Sequence, residues 1–474
     1  MSAAGSRLSA AVPRLGGRGP AARRRRRVSG SEVGFTFVDL FAGIGGFAVA
    51  LKGLGGECAG SVEIDHRAAA IYELNHGTNP LGDITEMAND DRIDFGEHTV
   101  LAAGFPCQPF SKSGAQRGMD EARGTLFWNI LKIVEARRPA VLLLENVRNL
   151  AGPRHRHEWD VIVKSLRQAG YHVSSRPAVF SPHLLPAERG GRPQIRERVF
   201  ITATYWPERS WEEPAPAVEN RMIRTEPWAL ERDLPLDSRR CIPGCELSAD
   251  EVRWIDAWED FRQLVVGRTM RATPKHLLDE VRLPGFPIWV DAWVDSADLQ
   301  FPEETPRWKE LFLRKNAAFY TQHRSVLDPW LKAHGVLSFP PSRRKFEWQA
   351  QQETSLWNCA IQLRPSGIRA KRMTHLPALV AMAQTPILGP RRRRLSVSEA
   401  AALQGLPPDF TFGKQPDSAS YKQLGNGVNV GVVQHVLRQH VLRDLERLRE
   451  IAPELTAALG LAVAPASGRE PVLV

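Results

Sequence analysis

Cys107 lies between two prolines in the segment 104–109, Gly-Phe-Pro-Cys-Gln-Pro, directly after the apolar run of residues 100–103. If that run is a strand that stops at Gly104, the turn through Pro106 would hold the thiol rigidly at the edge of a sheet. Open α/β sheets place their reactive groups at such an edge. Taken alone, Cys107 is equally consistent with a nucleophile and with a buried, inert cysteine at a tight turn.

Charged groups follow or precede two further strand patterns. Glu145 directly follows the apolar run 141–144, where it is either a structural acid or a general acid with a raised pKa. A thiolate beside a proton-donating carboxyl suits covalent addition to an electron-poor ring. Arg196 and Arg198 stand at the start of another strand pattern. Alternation would place both on one side, within reach of one anionic or carbonyl-bearing ligand, although a solvated charge run is the alternative.

A glycine-rich turn joins the first strand pattern to a helix pattern. Residues 35–41 are typical of a buried strand, residues 42–46 read Ala-Gly-Ile-Gly-Gly, and Glu63 ends the next strand pattern, 18 residues after Gly45. This arrangement is typical of a nucleotide-type cofactor site, in which the acid takes ribose hydroxyls. Ala48 occupies the position of the third glycine of the dinucleotide fingerprint, which favours an adenosyl ligand over a dinucleotide. A plain turn between strand and helix would also use glycines.

The elements that must position these residues alternate along the chain. Strand patterns near 100–103, 141–144 and 199–202 alternate with helix patterns near 126–136 and 159–169. We therefore predict an α/β fold with a mostly parallel sheet covered on both faces. Between residues 204 and about 390, which hold eleven of the 13 tryptophans, no such alternation is visible, so a second and less regular domain is expected. After this segment, Ser396 and Glu399 have the spacing of a capping box, which predicts the start of a helix.

Composition narrows the class of protein. The net charge is +10, but residues 1–33 hold eight arginines and one glutamate, so the other 441 residues carry only +3. That tail has almost no large apolar residues and is expected to be disordered. Five cysteines argue against a disulfide framework and fit a reducing compartment, and the spacing of Cys241 and Cys245 lacks the second pair that a zinc site needs. No apolar run is long enough for a membrane span.

Together these stretches resemble the C5 DNA cytosine methyltransferases. Six blocks match that family's motifs in order: residues 37–47, 104–111, 144–147, 194–198, 394–407 and 421–428. The resemblance covers residues 34–203 and 391–440. It implies a class I S-adenosylmethionine-dependent methyltransferase fold, Rossmann-like with a mixed, mostly parallel sheet, joined to a smaller irregular target-recognition domain.

The resemblance also implies domain boundaries. Residues 1–33 would be a disordered Arg-rich tail, and residues 34–203, completed by 412–448, would form the catalytic and cofactor-binding domain. Residues 204–411, including the 391–411 block, would form the DNA target-recognition domain. Residues 449–474 would be a C-terminal tail.

For the site residues the resemblance implies definite roles. Cys107 would attack C6 of a flipped cytosine while Glu145 hydrogen-bonds or protonates N3. Arg196 and Arg198 would hold the O2 atom of the base and a nearby phosphate. The cofactor would be S-adenosyl-L-methionine, with Glu63 at the ribose, and the full set of residues that hold it would be Phe41, Gly43, Gly45, Gly46, Glu63, Ile64 (beside the adenine), Asp83 (at its amino group), Leu126, Asn426 and Val428. DNA contacts are implied for Ser113, Arg123 and Gln194.

Two positions depart from the family pattern. Gly427 stands where members often have serine, which leaves backbone contacts intact. A Thr-Leu pair is common in the recognition domain, and its best match here, Ala378-Leu379, lacks the threonine. The base-reading residues are therefore left unassigned. Basic and aromatic residues alternate in 343–348 and recur in 364–372, which suits phosphate and major-groove contacts.

The implied function is a DNA cytosine-5 methyltransferase that acts on a specific double-stranded sequence. It would work in the cytoplasm at the nucleoid, as a monomer without metal or membrane, and would protect host DNA from a cognate restriction endonuclease. One alternative is the tRNA-acting branch of the fold, which manages with a much smaller insert. Another is a catalytically inactive DNA-binding paralogue, against which the presence of Cys107, Glu145 and Arg198 argues.

Overall fold

The computed structural model describes residues 34–106, 125–272, 283–296, 299–379 and 385–461. All of them belong to one compact unit, Gly34–Val474. A seven-stranded sheet occupies its first part. Its strands are β1 (Thr36–Leu40), β2 (Glu57–Val62), β3 (Val100–Gly104), β4 (Val141–Val147), β5 (Tyr171–Val173), β6 (Ala178–Phe180) and β8 (Arg198–Tyr205). The short strand β7 (Gln194–Ile195) lies outside this sheet.

The direction of the strands places several chain ends together. Strands β2, β1, β3 and β4 are parallel neighbours in that order, whereas β8 runs antiparallel to β4 and pairs with both β5 and β6. Gly104 is therefore in register with Glu145, and Val147 with Arg198. The carboxyl ends of β1, β3 and β4 and the amino end of β8 meet at one edge, because β8 is reversed.

Helices cover both faces of this sheet, as the alternation predicted. Neighbouring residues of β3 and β4 belong to different apolar clusters, with Val100 and Val141 in one and Leu101 and Leu142 in the other. This alternation buries both faces of the parallel strands. The helices of this part are α1 (Gly46–Lys52), α2 (His66–His76), α3 (Ile84–Met87), α4 (Leu126–Arg137) and α5 (Arg156–Gln168). Among the described residues no helix is both long and apolar enough to cross a membrane.

A second sheet lies between residues 288 and 394. Its strands, in spatial order, are β15 (Arg393–Arg394), β14 (Ile387–Leu388), β11 (Ala360–Arg364), β12 (Gly367–Lys371), β10 (Lys345–Gln349) and β9 (Ile288–Trp289), while β13 (Leu376–Pro377) pairs with β7. The helices α6 (Leu230–Asp233), α7 (Ala249–Ala272) and α8 (Arg307–His334) precede or interrupt it. This segment is more regular than the sequence predicted. The prediction missed the sheet because strands of two to five residues are too short to display a periodic pattern.

Aromatic side chains form the core beneath this second sheet. Trp258 stacks on Phe346 with ring centroids 4.8 Å apart, and Phe261 and Trp330 pack beside them. Between residues 204 and 390, four tryptophans are at least nine-tenths buried, namely Trp228, Trp258, Trp330 and Trp357. Many of the aromatic residues that the composition concentrates here are therefore used for packing.

The C-terminal part of the chain returns to the first sheet. Its helices are α9 (Val397–Leu403), α10 (Asp417–Asn426), α11 (Val430–Arg443), α12 (Leu445–Ile451) and α13 (Pro453–Ala458). The amide of Gln434 donates to the carbonyl of Ala50 at 3.1 Å, which ties α11 to α1. The 391–411 block divides between the sheets, since β15 belongs to the second sheet while Leu403 joins the apolar cluster of the first.

The C-terminal tail expected from residue 449 does not begin there. Leu455 and Leu459 are buried, and the Thr99 hydroxyl donates to the Glu454 carboxylate at 2.7 Å. Pro453 occupies the first turn of α13, a position that proline tolerates because the missing N–H would be unpaired there. Packed structure therefore continues at least to residue 459.

A buried ion pair joins β15 to α9. Arg393 and Glu399 have side chains 0% and 2% exposed, and both guanidinium NH groups donate to the carboxylate, at 2.9 and 2.7 Å. The predicted capping box is present, since Ser396 and Glu399 exchange backbone and side-chain hydrogen bonds. One carboxylate thus serves both the helix terminus and the arginine.

Replacing Glu399 with alanine should lower the free energy of unfolding by about 3–5 kcal/mol, because it leaves a buried guanidinium without its partner. Urea denaturation measures this. The matched control is Glu231→Ala, which removes the half-exposed partner that Arg391 holds at 2.5 Å and should cost at most about 1 kcal/mol. Equal losses in the two variants would contradict this assignment.

Candidate active site

A cavity of about 420 Å³ opens at the sheet edge where β1, β3 and β4 end and β8 begins. Its walls are the glycine turn, the ends of three strands, and residues 422–428, which form the end of α10 and the turn after it. The predicted site residues that line it are Phe41, Gly43, Gly46, Glu63, Glu145, Arg198, Asn426 and Val428. The structure therefore brings together the charged pair at the ends of β4 and β8 with most of the residues predicted for the cofactor.

The glycine turn is held from below by an acid. The Gly43 N–H donates to one carboxylate oxygen of Glu63 at 2.7 Å, and the Asp65 N–H donates to the other at 2.8 Å. Phe41, a non-glycine residue, has φ +56°, a conformation that costs about 1–3 kcal/mol and is found mainly at functional sites. Glu63 thus occupies a defined place in the cavity wall. Phe41, whose backbone is strained, lines the same cavity.

Two glycines of the turn are required by close packing. A Cβ atom at Gly45 would lie 2.0 Å from Nε2 of His76, and Gly45 has φ +90°. A Cβ atom at Gly46 would lie 2.9 Å from a methyl group of Val428. Gly45 does not line the cavity. Glycine is therefore required at position 45 by the backbone conformation and by the close approach of α2, not by a contact with the cavity.

Three other predicted cofactor residues lie outside the cavity lining. Ile64 follows Glu63 and is 67% exposed. Asp83 accepts from the Thr85 N–H at 2.8 Å and caps α3. Leu126 begins α4 and packs against the apolar cluster on that face. Their roles toward a cofactor remain predictions.

Glu145 and Arg198 form a charged pair inside the cavity. Nε of Arg198 lies 3.0 Å from an oxygen of the Glu145 carboxylate, and Glu145 is only 7% exposed. Burial raises the pKa of Glu145, while the positive charges of Arg198 and Arg196 oppose the rise. A Cβ at Gly104 would lie 3.6 Å from the other carboxylate oxygen, so the β3 backbone passes beside the carboxyl. The carboxyl can therefore hold a proton more readily than an ordinary glutamate.

Asn146 is a residue of this site that the sequence reasoning did not single out. Its side-chain NH₂ donates to the Phe105 carbonyl at 2.9 Å, and its oxygen accepts from the Val147 N–H at 2.8 Å. It is 3% exposed. By fixing Phe105, it holds the end of β3 and hence Pro106, which lines the cavity. A polar residue following an apolar strand was the available signal.

Cys107, Ser113 and Arg123 lie outside the described residues, which stop at Pro106 and resume at Thr125. The described part of the chain contains no group of three or more His, Cys, Asp or Glu side chains arranged to hold a metal ion.

Arg196 does not line the cavity but lies behind its wall. Its guanidinium donates to the carbonyls of Leu379, Gly425 and Gly427 at 2.9, 2.8 and 2.6 Å, and the residue is 2% exposed. Burial lowers its pKa to about 9. The prediction that Arg196 and Arg198 point to the same side assumed one continuous strand. Instead β7 ends at Ile195 and β8 starts at Arg198, so side chains do not alternate regularly between the two arginines. Gln194 is fully buried and also lies outside the cavity lining.

Gly45→Ala should destabilise the protein more than Gly43→Ala. Both positions have a left-handed backbone, which costs an alanine about 1–2 kcal/mol, but a Cβ at Gly43 would meet nothing within 4 Å. Thermal unfolding of the two variants measures the difference. Combining Gly45→Ala with His76→Ala should recover part of the extra loss, and a double variant no better than the sum of the singles would contradict the clash.

Comparison with known proteins gives consistent similarities. The family model for C-5 cytosine-specific DNA methylase matches residues 35–235 and 299–442. The Type II methyltransferase M.AluI of Cellulosimicrobium cellulans is 46% identical over an alignment 503 residues long, and the alignment covers 89% of this chain and 95% of that protein. M.HhaI of Haemophilus parahaemolyticus is 42% identical over 168 residues, 35% of this chain and 48% of that protein. The crystal structure of a mutant DNMT2 of Spodoptera frugiperda matches with a TM-score of 0.44 at 16% identity, covering 86% and 99% of the two chains.

Proposed function

The chain belongs to the C-5 cytosine-specific DNA methylase family, and we propose that it methylates a cytosine within one specific sequence of double-stranded DNA. It is an enzyme of the DNA cytosine-5-methyltransferase class with the corresponding mixed α/β fold. The observation that carries the proposal is the buried Glu145–Arg198 pair, in the same cavity as the glycine turn and Pro106. Since relatives are named Type II methyltransferases, a role in restriction–modification is proposed as well.

S-adenosyl-L-methionine is the proposed cofactor, and the cavity residues fit its chemistry. The volume of about 420 Å³ is in the range of small-molecule sites. Phe41 offers an aromatic face, and Glu63 keeps free lone pairs for ribose hydroxyls, because a carboxylate accepts about four hydrogen bonds and two are used. Asn426 adds an amide at the opposite wall. When bound, the cofactor would supply an electrophilic methyl group.

The residues of the chain would activate the cytosine. Cys107, the neighbour of Pro106 in the sequence, is the proposed nucleophile for C6, and a thiolate suits the task because it can also leave. Glu145 would donate a proton or a hydrogen bond to N3, which makes C5 electron-rich. Arg198 would hold the carboxyl in place and contact O2. The base must leave the helix stack to reach these groups.

The remaining assignments rest on the resemblance. Ile64, Asp83 and Leu126 are proposed as further cofactor contacts, and Ser113, Arg123 and Gln194 as DNA contacts. Arg196 is proposed to act through the loop that it binds, because its N–H groups are directed to carbonyls of residues 379, 425 and 427. A monomer at the nucleoid, paired with a cognate endonuclease, completes the proposal.

Expression in a host without cytosine methylation should produce 5-methylcytosine at one consensus sequence, mapped by bisulfite sequencing of the host DNA. Cys107→Ala should abolish the signal, because it removes the nucleophile. Cys241→Ala, which removes an exposed free cysteine, is the matched control and should leave methylation unchanged. Unmethylated host DNA from a folded, cofactor-binding protein would refute the proposal, and methylated tRNA with unmethylated DNA would identify the tRNA-acting alternative.

The methyl-transfer rate should fall as pH rises through the pKa of Glu145, because only the protonated carboxyl donates to N3. Burial raises that pKa and Arg198 opposes the rise, so Arg198→Met should shift this alkaline limb to higher pH. Single-turnover rates across pH measure the limb. Glu145→Gln should remove it and slow the reaction by about 10²–10⁴-fold.

Arg198→Lys provides the control for this experiment, because it retains the positive charge beside the carboxyl. Its alkaline limb should stay close to that of the unmodified enzyme. A limb that is identical in Arg198→Met and the unmodified enzyme would show that Glu145 is not the group that titrates.

A further inference from the structure

One face of the second sheet is polar and carries excess positive charge. The register pairs Glu347 with Arg369, and Arg369 with Gln362, across the neighbouring strands β10, β12 and β11. Side chains alternate between faces along a strand, so these residues share one face with others of the same parity. We call it the basic face, and its charged or amide members are Lys345, Glu347, Gln349, Gln362, Arg364, Arg369 and Lys371. The opposite face, with Phe346 and Ile368, is buried in the aromatic core.

At the centre of the basic face, one carboxylate holds two guanidiniums. A single oxygen of Glu347 accepts from Arg364 at 2.6 Å and from Arg369 at 2.8 Å. The three side chains are 19–25% exposed and line a cavity of about 340 Å³ with Lys345 and Gly367. Both planar forks are therefore fixed in orientation and still open to a ligand.

Two polar atoms of this face lack hydrogen-bond partners within the described ranges. They are Oε1 of Gln362 and Nε of Arg364, and both atoms are buried. An unpaired buried donor or acceptor costs about 1–3 kcal/mol in the free protein. The face therefore holds one acceptor and one donor that no group of the described residues satisfies.

A short segment of the chain connects the basic face to a residue that contacts Arg196. After β12 ends at Lys371, four residues lead to β13, whose Leu376 is in register with Gln194. Leu379, two residues after β13, accepts the hydrogen bond from Arg196. Only the segment 372–378 therefore separates β12 from a residue that contacts Arg196.

We propose that the basic face reads one G·C base pair in the major groove of the DNA substrate, an assignment that rests on the function proposed above. Arg364 and Arg369 donate to N7 and O6 of the guanine, and Glu347 accepts from the N4 amino group of its cytosine. Arginine forks on guanine and carboxylates on cytosine N4 are the pairings that base-edge geometry favours.

The chemistry of the face favours a base edge over a phosphate. A phosphate is anionic and offers only acceptors, so the Glu347 carboxylate between the two arginines would repel it. The unpaired oxygen of Gln362 requires a donor, which a phosphate also lacks. A base pair is neutral and presents both donors and acceptors in the major groove.

Arg364→Lys and Arg369→Lys test the proposal, because each retains the charge and loses the planar guanidinium that Glu347 orients. Methylation is mapped in the host without cytosine methylation, and rates are then measured on duplexes that differ at single positions. We expect each variant to lose about 5- to 150-fold of its discrimination at one G·C position, with other positions unchanged. Arg324→Lys, an exposed arginine on α8 paired with Asp328, is the control and should retain full discrimination.

Two results would overturn the proposal. Unchanged discrimination in both variants would show that the forks do not read a base. An equal loss of affinity for all sequences would show that the arginines contact the DNA without reading a base. If a lysine variant fails to fold, as judged by cofactor binding, Glu347→Gln replaces it, since it keeps the shape and removes the charge that orients both arginines. A wild-type chain that methylates no DNA would instead refute the proposed function itself.

Discussion

The buried guanidinium of Arg196 is the contact on which the architecture of the site depends. It hydrogen-bonds carbonyls at residues 379, 425 and 427, so it joins β7, the segment after β13 and the loop before α11. A buried charge is costly unless hydrogen bonds compensate it, and without those carbonyls the cation would lie uncompensated in the protein interior. The same charge lies close enough to oppose the raised pKa of Glu145. One side chain therefore couples the position of the cavity wall to the protonation of the carboxyl inside it.

This coupling explains why segments far apart in the chain form one cavity. The loop that Arg196 holds continues to Val428, which approaches the glycine turn so closely that a Cβ at Gly46 would be 2.9 Å from it. On its other side, the Leu379 contact follows the β13–β7 pairing, a separate two-stranded sheet that ties the segment after β12 to the first part of the chain.

The parts of the site that the sequence predicted are those that depend on local pattern. Glu63 and Glu145 follow apolar runs, so their place at strand ends could be inferred from the residue types alone. The direction of Arg196 could not, because it depends on a break of two residues between short strands and on carbonyls 183 to 231 positions away. Asn146 escaped notice for a similar reason, since its partner, Phe105, lies at the end of a different strand. The second sheet was missed because its strands, two to five residues long, have no measurable period.

The direction of β8 shows how topology decides chemistry here. In a fully parallel sheet, the first residue of one strand lies at the opposite edge from the last residues of its neighbours. Arg198 and Glu145 would then be separated by about the length of a strand. Because β8 is antiparallel to β4, Val147 and Arg198 are in register, and Nε of Arg198 reaches the Glu145 carboxylate at 3.0 Å. A fully parallel arrangement, which βα alternation alone would produce, could not have formed this pair. The reversal of one strand is what places a cation beside a buried acid at the edge where the glycine turn and Pro106 also lie.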